Sequence, residues 1–182
     1  TMQPYPYDPE RARELLAEAG YPDGFEIGMG CPADGYININ EVCQAIASSL
    51  GGIGVDVTVD FQTTNAYWSE PQYAVTGPMY VDSWSSEFGE ALPRLEGALT
   101  PGNYYNTWED PRMAELIQEI EQEVDREARA ELYQEMHELM KEDPPFIYLY
   151  QPVIFEAVDA DLEGYQPRAA EDYFLRSVGF AD

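Results

Sequence analysis

The amino-acid sequence predicts an α/β fold in which a central mixed sheet is flanked by helices. Segments with apolar residues at helical spacing alternate with short segments in which every second residue is apolar. Their order is helix, strand, helix, strand, helix, strand, two helices and strand, which is typical of α/β proteins. Because a helix between two strands carries the chain back across a sheet, we expect at least partly parallel pairing.

Four segments have the patterns of strands. The clearest begins at Val55, where apolar residues alternate with Asp and Thr as far as Phe61. In another segment Pro78 marks an edge or an irregularity. The last is a short apolar run that is typical of a buried strand. The predicted strands are therefore 25–31, 55–61, 73–81 and 146–150.

Start and stop signals predict the helices. Asp8 is the expected N-cap of a helix that begins at Pro9 and ends at Gly20. Asn38, with Glu41 three residues later, signals the start of a second helix. Thr63 or Thr64 is expected to cap a short helix.

Two longer helices are predicted after residue 110, and Asp143-Pro144-Pro145 ends the second of them. Each has one apolar face, and residues 82–110 before them lack a clear period and are expected to be irregular. The predicted faces are Met113, Leu116, Ile117, Ile120 and Val124 in one helix, and Leu132, Met136, Leu139 and Met140 in the other.

The composition is strongly acidic. Asp and Glu number 35 against nine Lys and Arg, so the formal net charge is −26. Nucleic acid is not expected as a partner, because phosphate binding needs clustered cations, and an anionic membrane surface is disfavoured for the same reason. Since the acids are spread through periodic segments, a folded surface adapted to high salt is favoured over an acidic disordered tail.

The two cysteines are interpreted first as small buried apolar residues. Cys31 shares strand parity with Ile27 and Met29, and Cys43 lies near Ile46 on a helical face. A disulfide between them is the alternative, which an exported protein would permit.

The sequence lacks the motifs of common catalytic and cofactor sites. His137 is the only histidine, and Lys141 stands where a zinc-protease helix needs its second histidine. Neither of the two Gly-rich phosphate-binding motifs occurs. Carboxylate pairs arise by chance among 35 acids, so they say little about catalysis. We therefore expect no catalytic residue, no metal ion and no cofactor.

Aromatic residues cluster in the part of the chain that has no clear period. Aromatic side chains on loops at strand ends commonly line ligand clefts in α/β proteins. Packing of this loop onto its own lobe is the other explanation. The residues concerned are Tyr80, Trp84, Phe88, Tyr104, Tyr105 and Trp108.

Taken together, several segments resemble the C-terminal lobe of peptide-type extracytoplasmic solute-binding proteins, which serve ABC importers. The resemblance runs from about Tyr7 to Tyr165. It implies one lobe of a two-lobed periplasmic-binding-protein-like fold, whose lobes close over a solute. The matching segments are PYDPERARELLAEAGYPDGFEI, AIASSLGGIGVDVTVDF, YAVTGPMYVDSW and the stretch from Asn106 to Gln151.

The same resemblance implies a domain organisation and a set of partners. Residues 1–151 correspond to the C-terminal ligand-binding lobe, and 152–182 to a tail that returns to an N-terminal lobe from a hinge near Gln151-Pro152. The expected partners are a peptide or another small solute, the ABC permease subunits and that N-terminal lobe. An extracytoplasmic location is implied, and because the start TMQPYPYDPE lacks signal-peptide features, we expect an export signal upstream.

The resemblance also implies where ligand binds. An Asp near the end of the third strand holds the α-amine of the ligand in peptide binders, and the ungapped register places Ser83 there, with Asp82 one residue earlier. We expect Asp82 to be a negative anchor with Tyr80 and Trp84 as apolar walls. Tyr104 and Trp108 complete the candidate ligand-binding residues.

Peptide is the leading ligand class, and alternatives remain open. Ser83 at the ligand position would favour a neutral or sugar-like solute, and other members of the family take nickel complexes. Outside the family, the alternatives are a secreted acidic hydrolase that uses a carboxylate pair and a structural or interaction domain.

We expect salt to stabilise this fold. The net charge of −26 repels itself at low ionic strength. The Debye length falls from about 30 Å at 0.01 M to about 3 Å at 1 M salt, so the repulsion is screened. Thermal melts in increasing KCl should give rising melting temperatures, and a flat or falling series would remove the high-salt interpretation.

Overall fold

The computed structural model describes most of the chain, and its residues form two compact units that divide after Ser83. The first unit is an α/β unit and the second is mainly helical. The described residues are 4–67, 78–83, 91–103, 106, 108–153, 155–167 and 173–181.

A three-stranded parallel sheet forms the centre of the first unit. Strand β1 lies between β2 and β3 and pairs in parallel with both. Its pairing with β2 runs without a break from Phe25↔Val55 to Pro32↔Gln62. The α/β class is therefore confirmed. The elements are α1 (Pro9–Glu18), β1 (Phe25–Pro32), α2 (Ile39–Gly51), β2 (Val55–Gln62), α3 (Thr64–Tyr67) and β3 (Met79–Tyr80).

The predicted strands 25–31 and 55–61 are confirmed to within one residue. Met29 and Cys31 are fully buried and form a core with Ile39, Cys43 and Val81. This core lies between the sheet and α2, as the alternating pattern predicts. Of the predicted third strand, residues 79–80 are in β3, and residues 73–77 lie outside the described part of the chain.

A close approach of two glycines joins the turns before β1 and β2. Gly24 has a φ of +76°, and a Cβ placed on it would lie 1.8 Å from the carbonyl oxygen of Gly54. Only glycine tolerates both conditions, because its backbone adopts positive φ readily and carries no side chain. These turns therefore bring β1 and β2 into register at their first residues.

The helix starts agree with the sequence signals, although one cap differs. Asp8 accepts a hydrogen bond from the backbone N–H of Arg11 at 2.9 Å, as expected for an N-cap. Helix α2 begins at Ile39, directly after Asn38, where the sequence signals a helix start. Asn38 has a φ of 55°, and its side chain makes no capping hydrogen bond. The predicted start signal is therefore confirmed, although the Asn38 side chain does not cap the helix.

The second unit is built around three helices that share one apolar core. Buried residues come from all three helices. The predicted faces are confirmed except at Val124, which is 96% exposed because α5 ends at Gln122. The helices are α4 (Leu92–Leu99), α5 (Pro111–Gln122) and α6 (Arg126–Glu142). The buried residues are Leu92, Ala98, Leu99, Met113, Leu116, Ile117, Ile120, Met136 and Met140.

Helix α4 corrects the expectation that all of 82–110 is irregular. Pro93 lies in the first turn of this helix, where its missing N–H costs no hydrogen bond. Leu92 and Leu99 are buried against α5 and α6. The helix has only eight residues and contains Gly97, so its apolar period was too short to recognise.

The predicted strand at 146–150 is wrong, because these residues form no strand. Ile147 and Tyr150 are 75% and 59% exposed. A strand requires a hydrogen-bonded neighbour, and no described strand pairs with this segment. The apolar run predicted a strand, but the composition of this segment alone does not show whether another strand lies beside it to pair with.

Residues after Gln151 also expose large apolar side chains. Phe155 is 90% exposed, and Tyr173 and Phe180 are similarly uncovered. The short strands β4 (Leu162–Glu163) and β5 (Gly179–Phe180) form an antiparallel pair. The exposed side chains agree with the idea that 152–182 packs on another lobe, which stays a prediction.

One arginine links α5 to α6. Arg112 on α5 donates to Glu135 on α6 at 2.7 Å and to Glu119 at 2.8 Å. These hydrogen bonds raise the pKa of the guanidinium and lower the pKa of Glu135. Because the groups are exposed, the contact adds less to stability than the apolar core that the two helices share.

Cys31 and Cys43 form a disulfide, which was the alternative interpretation of the two cysteines. The first interpretation, that both are buried apolar residues, also holds. Both residues are fully buried in the core of the first unit. The bridge joins the end of β1 to α2 across the loop at 33–38.

Replacing both cysteines with alanine should lower the free energy of unfolding by about 3 kcal/mol, because a bridge across a short loop restricts the unfolded chain. Urea unfolding of the Cys31→Ala/Cys43→Ala variant against the oxidised protein measures the difference. Wild type unfolded in the presence of reductant is the control and should show a comparable loss. An unchanged midpoint would contradict a stabilising bridge.

Candidate functional site

The carboxyl ends of all three parallel strands meet at one edge of the sheet. The chain leaves this edge at 33–38 after β1, at 63–64 after β2 and at 81–83 after β3. Open α/β sheets bind ligands outside the carboxyl ends of their strands.

The loop at 33–38 is held in place by its own contacts. Asp34 accepts hydrogen bonds from the side-chain hydroxyl and, at 2.8 Å, the backbone N–H of Thr64. These contacts lower the pKa of Asp34. Gly35 has a φ of +87°, and a Cβ there would lie 2.7 Å from the Thr64 hydroxyl oxygen. The loop after β1 is thus tied to the start of α3.

The loop at 33–38 places Tyr36 against the end of β3. The Tyr36 hydroxyl donates to Oδ1 of Asp82 at 3.3 Å, and the backbone N–H of Ser83 donates to the same oxygen at 2.6 Å. Burial raises the pKa of Asp82 to about 6, and the two donors oppose that rise. A desolvated carboxylate therefore sits at the carboxyl edge of the sheet.

The second oxygen of Asp82, Oδ2, has no partner within the described part of the chain. Among the described residues, none donates a hydrogen bond to Oδ2, and no cation pairs with it. A carboxylate withdrawn from water without full compensation is unfavourable. Such a group is suited to binding a cation, since the ligand would supply the missing donors.

The predicted site residues are only partly brought together. Asp82 and Ser83 follow β3 directly, and Tyr80 ends that strand. Met79 and Val81 pack on the core, so by alternation Tyr80 projects from the opposite face. Ser83 is exposed and contributes its backbone N–H. Trp84 and Tyr104 lie outside the described residues.

Trp108 belongs to the second unit and has a structural role there. Its ring packs against the helical core, and its indole N–H donates to Asp143 at 2.8 Å. The contact ties residue 108 to the carboxyl end of α6. An indole whose donor is already satisfied agrees with the alternative explanation for these aromatics, in which they pack the loop onto its own unit.

Tyr36 is the residue that sequence reasoning missed. It is partly buried against the core and makes the contact with Asp82. Its position in the loop directly after β1 was an available signal, because parallel strands present their carboxyl ends at one edge. The irregular stretch PADGYININ hid that signal by carrying no motif.

In the described part of the chain, no group of His, Cys, Asp and Glu side chains is arranged to hold a metal ion. No helix there is both long and apolar enough to cross a membrane.

The fold and this edge of the sheet define one lobe of a periplasmic-binding-protein fold. A dipeptide-binding protein from Pseudoalteromonas sp. SM9913, solved with Met-Leu, superposes with a TM-score of 0.79 at 21% identity, over 96% of this chain and 36% of its own. Residues 1–106 match the family of bacterial extracellular solute-binding proteins, family 5, in its middle region. The chain belongs to that family.

Curated relatives agree with this assignment. The glutathione-binding protein GsiB of Salmonella typhimurium is 34% identical over 105 residues, which are 56% of this chain and 20% of that protein. The di/tripeptide-binding protein 2 of Pseudomonas aeruginosa is 29% identical over 188 residues, which cover 95% of this chain and 34% of that protein. The chain therefore spans between a fifth and about a third of these relatives.

Replacing Asp82 with asparagine should stabilise the protein at neutral pH. The pKa of Asp82 is raised from 3.8 to about 6, so the folded state holds this proton more tightly than the unfolded state. The contribution of Asp82 to the free energy of unfolding therefore falls as pH rises from about 4 to about 6. Above that range the ionised carboxylate destabilises the folded state by the full amount. A shift of this size corresponds to at most about 3 kcal/mol.

Urea unfolding of Asp82→Asn and wild type between pH 4 and pH 8 measures this effect. The gain should be largest near pH 7 and should vanish near pH 4. Asp56→Asn, an exposed acid on β2, controls for the general benefit of removing one negative charge. Equal gains for both variants at pH 7 would contradict a special cost at Asp82.

Proposed function

We propose that the protein containing this chain captures a peptide outside the cytoplasm and delivers it to the permease subunits of an ABC importer. The peptide is held between this lobe and an N-terminal lobe. The observation that carries the proposal is the desolvated Asp82 carboxylate at the carboxyl edge of the parallel sheet, one oxygen of which accepts no hydrogen bond from any described residue. Membership in a family of extracellular solute-binding proteins supports the transport role.

The chemistry of Asp82 favours a ligand with a free amine. An ammonium leaving water needs a fixed opposite charge and acceptor oxygens, and charge-assisted hydrogen bonds are the strong ones. Tyr80 at the end of β3 adds an aromatic side chain near that edge. A face of this kind tolerates varied side chains and attracts cations by about 0.5–2 kcal/mol.

The relatives support peptide over the other solutes. One is described as binding glutathione, another as binding di- and tripeptides, and a structure of the same fold contains Met-Leu. All three ligands are small peptides. The sugar-like alternative rested on Ser83 at the ligand position. Here Ser83 supplies its backbone N–H to Asp82, which supports Asp82 as the anchor.

Binding is the whole of the proposed activity, with no covalent step. The family is one of solute-binding proteins, which favours this proposal over an acidic hydrolase. Turnover of a chromogenic peptide or glycoside by the purified protein would contradict it.

Calorimetry on the full-length protein tests the proposal. Wild type should bind trialanine more tightly than N-acetyl-trialanine, because acetylation removes the charge that Asp82 receives. Asp82→Asn should lose about 2–5 kcal/mol of binding to the free-amine peptide and little to the acetylated one. Asp56→Asn is the matched control and should keep the wild-type preference.

Two results would overturn this assignment. If wild type shows no preference for the free amine, Asp82 does not receive an ammonium. If Asp82→Asn keeps the preference, the anchor lies elsewhere.

A further inference from the structure

We propose that the Cys31–Cys43 disulfide makes solute capture by this protein dependent on an oxidising environment. It does so by fixing the loop at 33–38, which lies at the carboxyl edge of the sheet. The inference rests on the proposed function, since it concerns when the same site becomes competent to bind.

The two cysteines lie on either side of this loop, 12 positions apart. Cys31 is the last residue but one of β1, and Cys43 lies in the second turn of α2. The bridge therefore closes the segment in which the chain turns from strand to helix. A bridge across so short a segment strongly limits the conformations that the segment can adopt.

Apolar packing gives the loop little support of its own. Four of its six residues are exposed, and Ile37 among them is 72% exposed despite its apolar side chain. Tyr36 is partly buried against the core. Segments with few buried apolar contacts open locally at little cost in free energy, so this loop depends on other restraints.

The loop also contains a backbone conformation that its surroundings must enforce. Asn38 has a φ of 55°, and among the residues that the structure describes it is the one non-glycine residue with a positive φ. A left-handed conformation is unfavourable for a residue with a side chain, although asparagine tolerates it better than most. Such a conformation persists where the surrounding structure leaves no alternative. The disulfide restrains the chain on both sides of Asn38 and supplies that constraint.

The loop has direct contacts with the rest of the carboxyl edge. The backbone N–H of Ala33 donates at 2.6 Å to the carbonyl oxygen of the last residue of β2. The backbone N–H of Thr64, at the start of α3, donates to Asp34 at 2.8 Å. After β3, Asp82 accepts from Tyr36 at 3.3 Å. A change in the conformation of this loop therefore reaches the ends of all three strands.

The burial of the bridge decides when its redox state is set. Cys31 and Cys43 are both fully buried. Thiol–disulfide exchange needs access to sulfur, so the state of the pair is set while the chain folds. A reducing cytosol keeps the pair as thiols, whereas an oxidising environment permits the bridge. The protein therefore becomes competent to bind outside the cytoplasm, where we propose that it captures its solute.

Oxidation of the pair is a thiol–disulfide exchange with an external disulfide. The S–S bond between Cys31 and Cys43 forms, and the S–S bond of the external disulfide breaks. The two electrons and two protons of the cysteine thiols leave on the two thiols that are released.

The test measures trialanine binding to the oxidised and reduced full-length protein by calorimetry. Reduced protein is obtained by refolding with dithiothreitol, because buried sulfur resists reduction in the folded state. The Cys31→Ala/Cys43→Ala variant, measured with and without dithiothreitol, lacks the bridge permanently and controls for the reductant. Val55→Ala is the control for stability, since it removes buried apolar contacts at the opposite, amino edge of the sheet.

Loss of the bridge should weaken trialanine binding by about tenfold, which corresponds to a loop that is competent about a tenth of the time. Reduced wild type and the double-alanine variant should show the same loss, and dithiothreitol should leave the variant unchanged. Val55→Ala should lower the midpoint of urea unfolding and keep the affinity of oxidised wild type. Equal weakening in Val55→Ala would mean that affinity follows general stability, which would overturn the inference.

Hydrogen exchange, measured by NMR without ligand, reports on the loop itself. The backbone N–H groups of Ala33 and Thr64 are hydrogen bonded in the oxidised protein. Their exchange should become about tenfold faster when the bridge is absent, whereas the amides in the paired part of β1 and β2 should change less. If Ala33 and Thr64 exchange equally fast in both redox states, the bridge does not hold the loop and the inference is wrong.

The outcomes separate this inference from the proposed function. If loop exchange accelerates but oxidised and reduced protein bind trialanine equally, the redox dependence is overturned and the proposed function stands. If oxidised wild type binds no trialanine although its loop is protected from exchange, the proposed function fails, and the redox dependence of capture fails with it.

Discussion

The parallel pairing of β1 with both of its neighbours is the constraint on which the candidate site depends. Because β1 runs in the same direction as β2 and β3, all three strands end at one edge of the sheet. Residues that are 46 positions apart in sequence, Tyr36 and Asp82, are brought into contact there. An antiparallel arrangement would have sent their loops to opposite edges. The site is thus a consequence of strand direction before it is a consequence of any side chain.

The carboxylate of Asp82 lies in an unfavourable environment at this edge of the sheet. Burial raises the pKa of Asp82, while Tyr36 and Ser83 offset only part of the cost. Nearby Asp34 shows the opposite case, since donors from Thr64 lower its pKa. Two aspartates in neighbouring loops therefore have opposite energetic roles. Asp34 holds a loop, whereas we propose that Asp82 receives a charged group of the ligand; perturbed carboxylates of this kind are common at functional sites.

The charged groups on the acidic surface contribute little to holding the fold together. Nine cations cannot neutralise 35 acids, and two arginines contact several carboxylates each. Arg11 pairs with Glu14 and Glu18, and Arg112 links α5 to α6. Exposed pairs of this kind contribute little individually. Cohesion therefore comes from the two apolar cores and the disulfide, while the remaining charge faces solvent, where its repulsion depends on salt.

Local patterns in the sequence determined the α/β class, the strands β1 and β2, the helix starts at Pro9 and Ile39, and the buried faces of α5 and α6. These features depend on periodicity and capping over a few residues, which the chain carries within itself. Resemblance between segments also pointed to Asp82 as a candidate. Helix α4 was missed because eight residues give too little period to recognise.

Only the tertiary structure decided which residues meet. The contact of Tyr36 with Asp82 depends on strand order and strand direction. The hydrophobic periodicity of a single segment predicts neither of them. The disulfide required the end of β1 to pack on α2, whereas the sequence left it as an alternative. The apolar run at 146–150 has the composition of a strand but pairs with no described strand. Composition is a property of one segment, whereas strand pairing also depends on a second segment that must lie beside it.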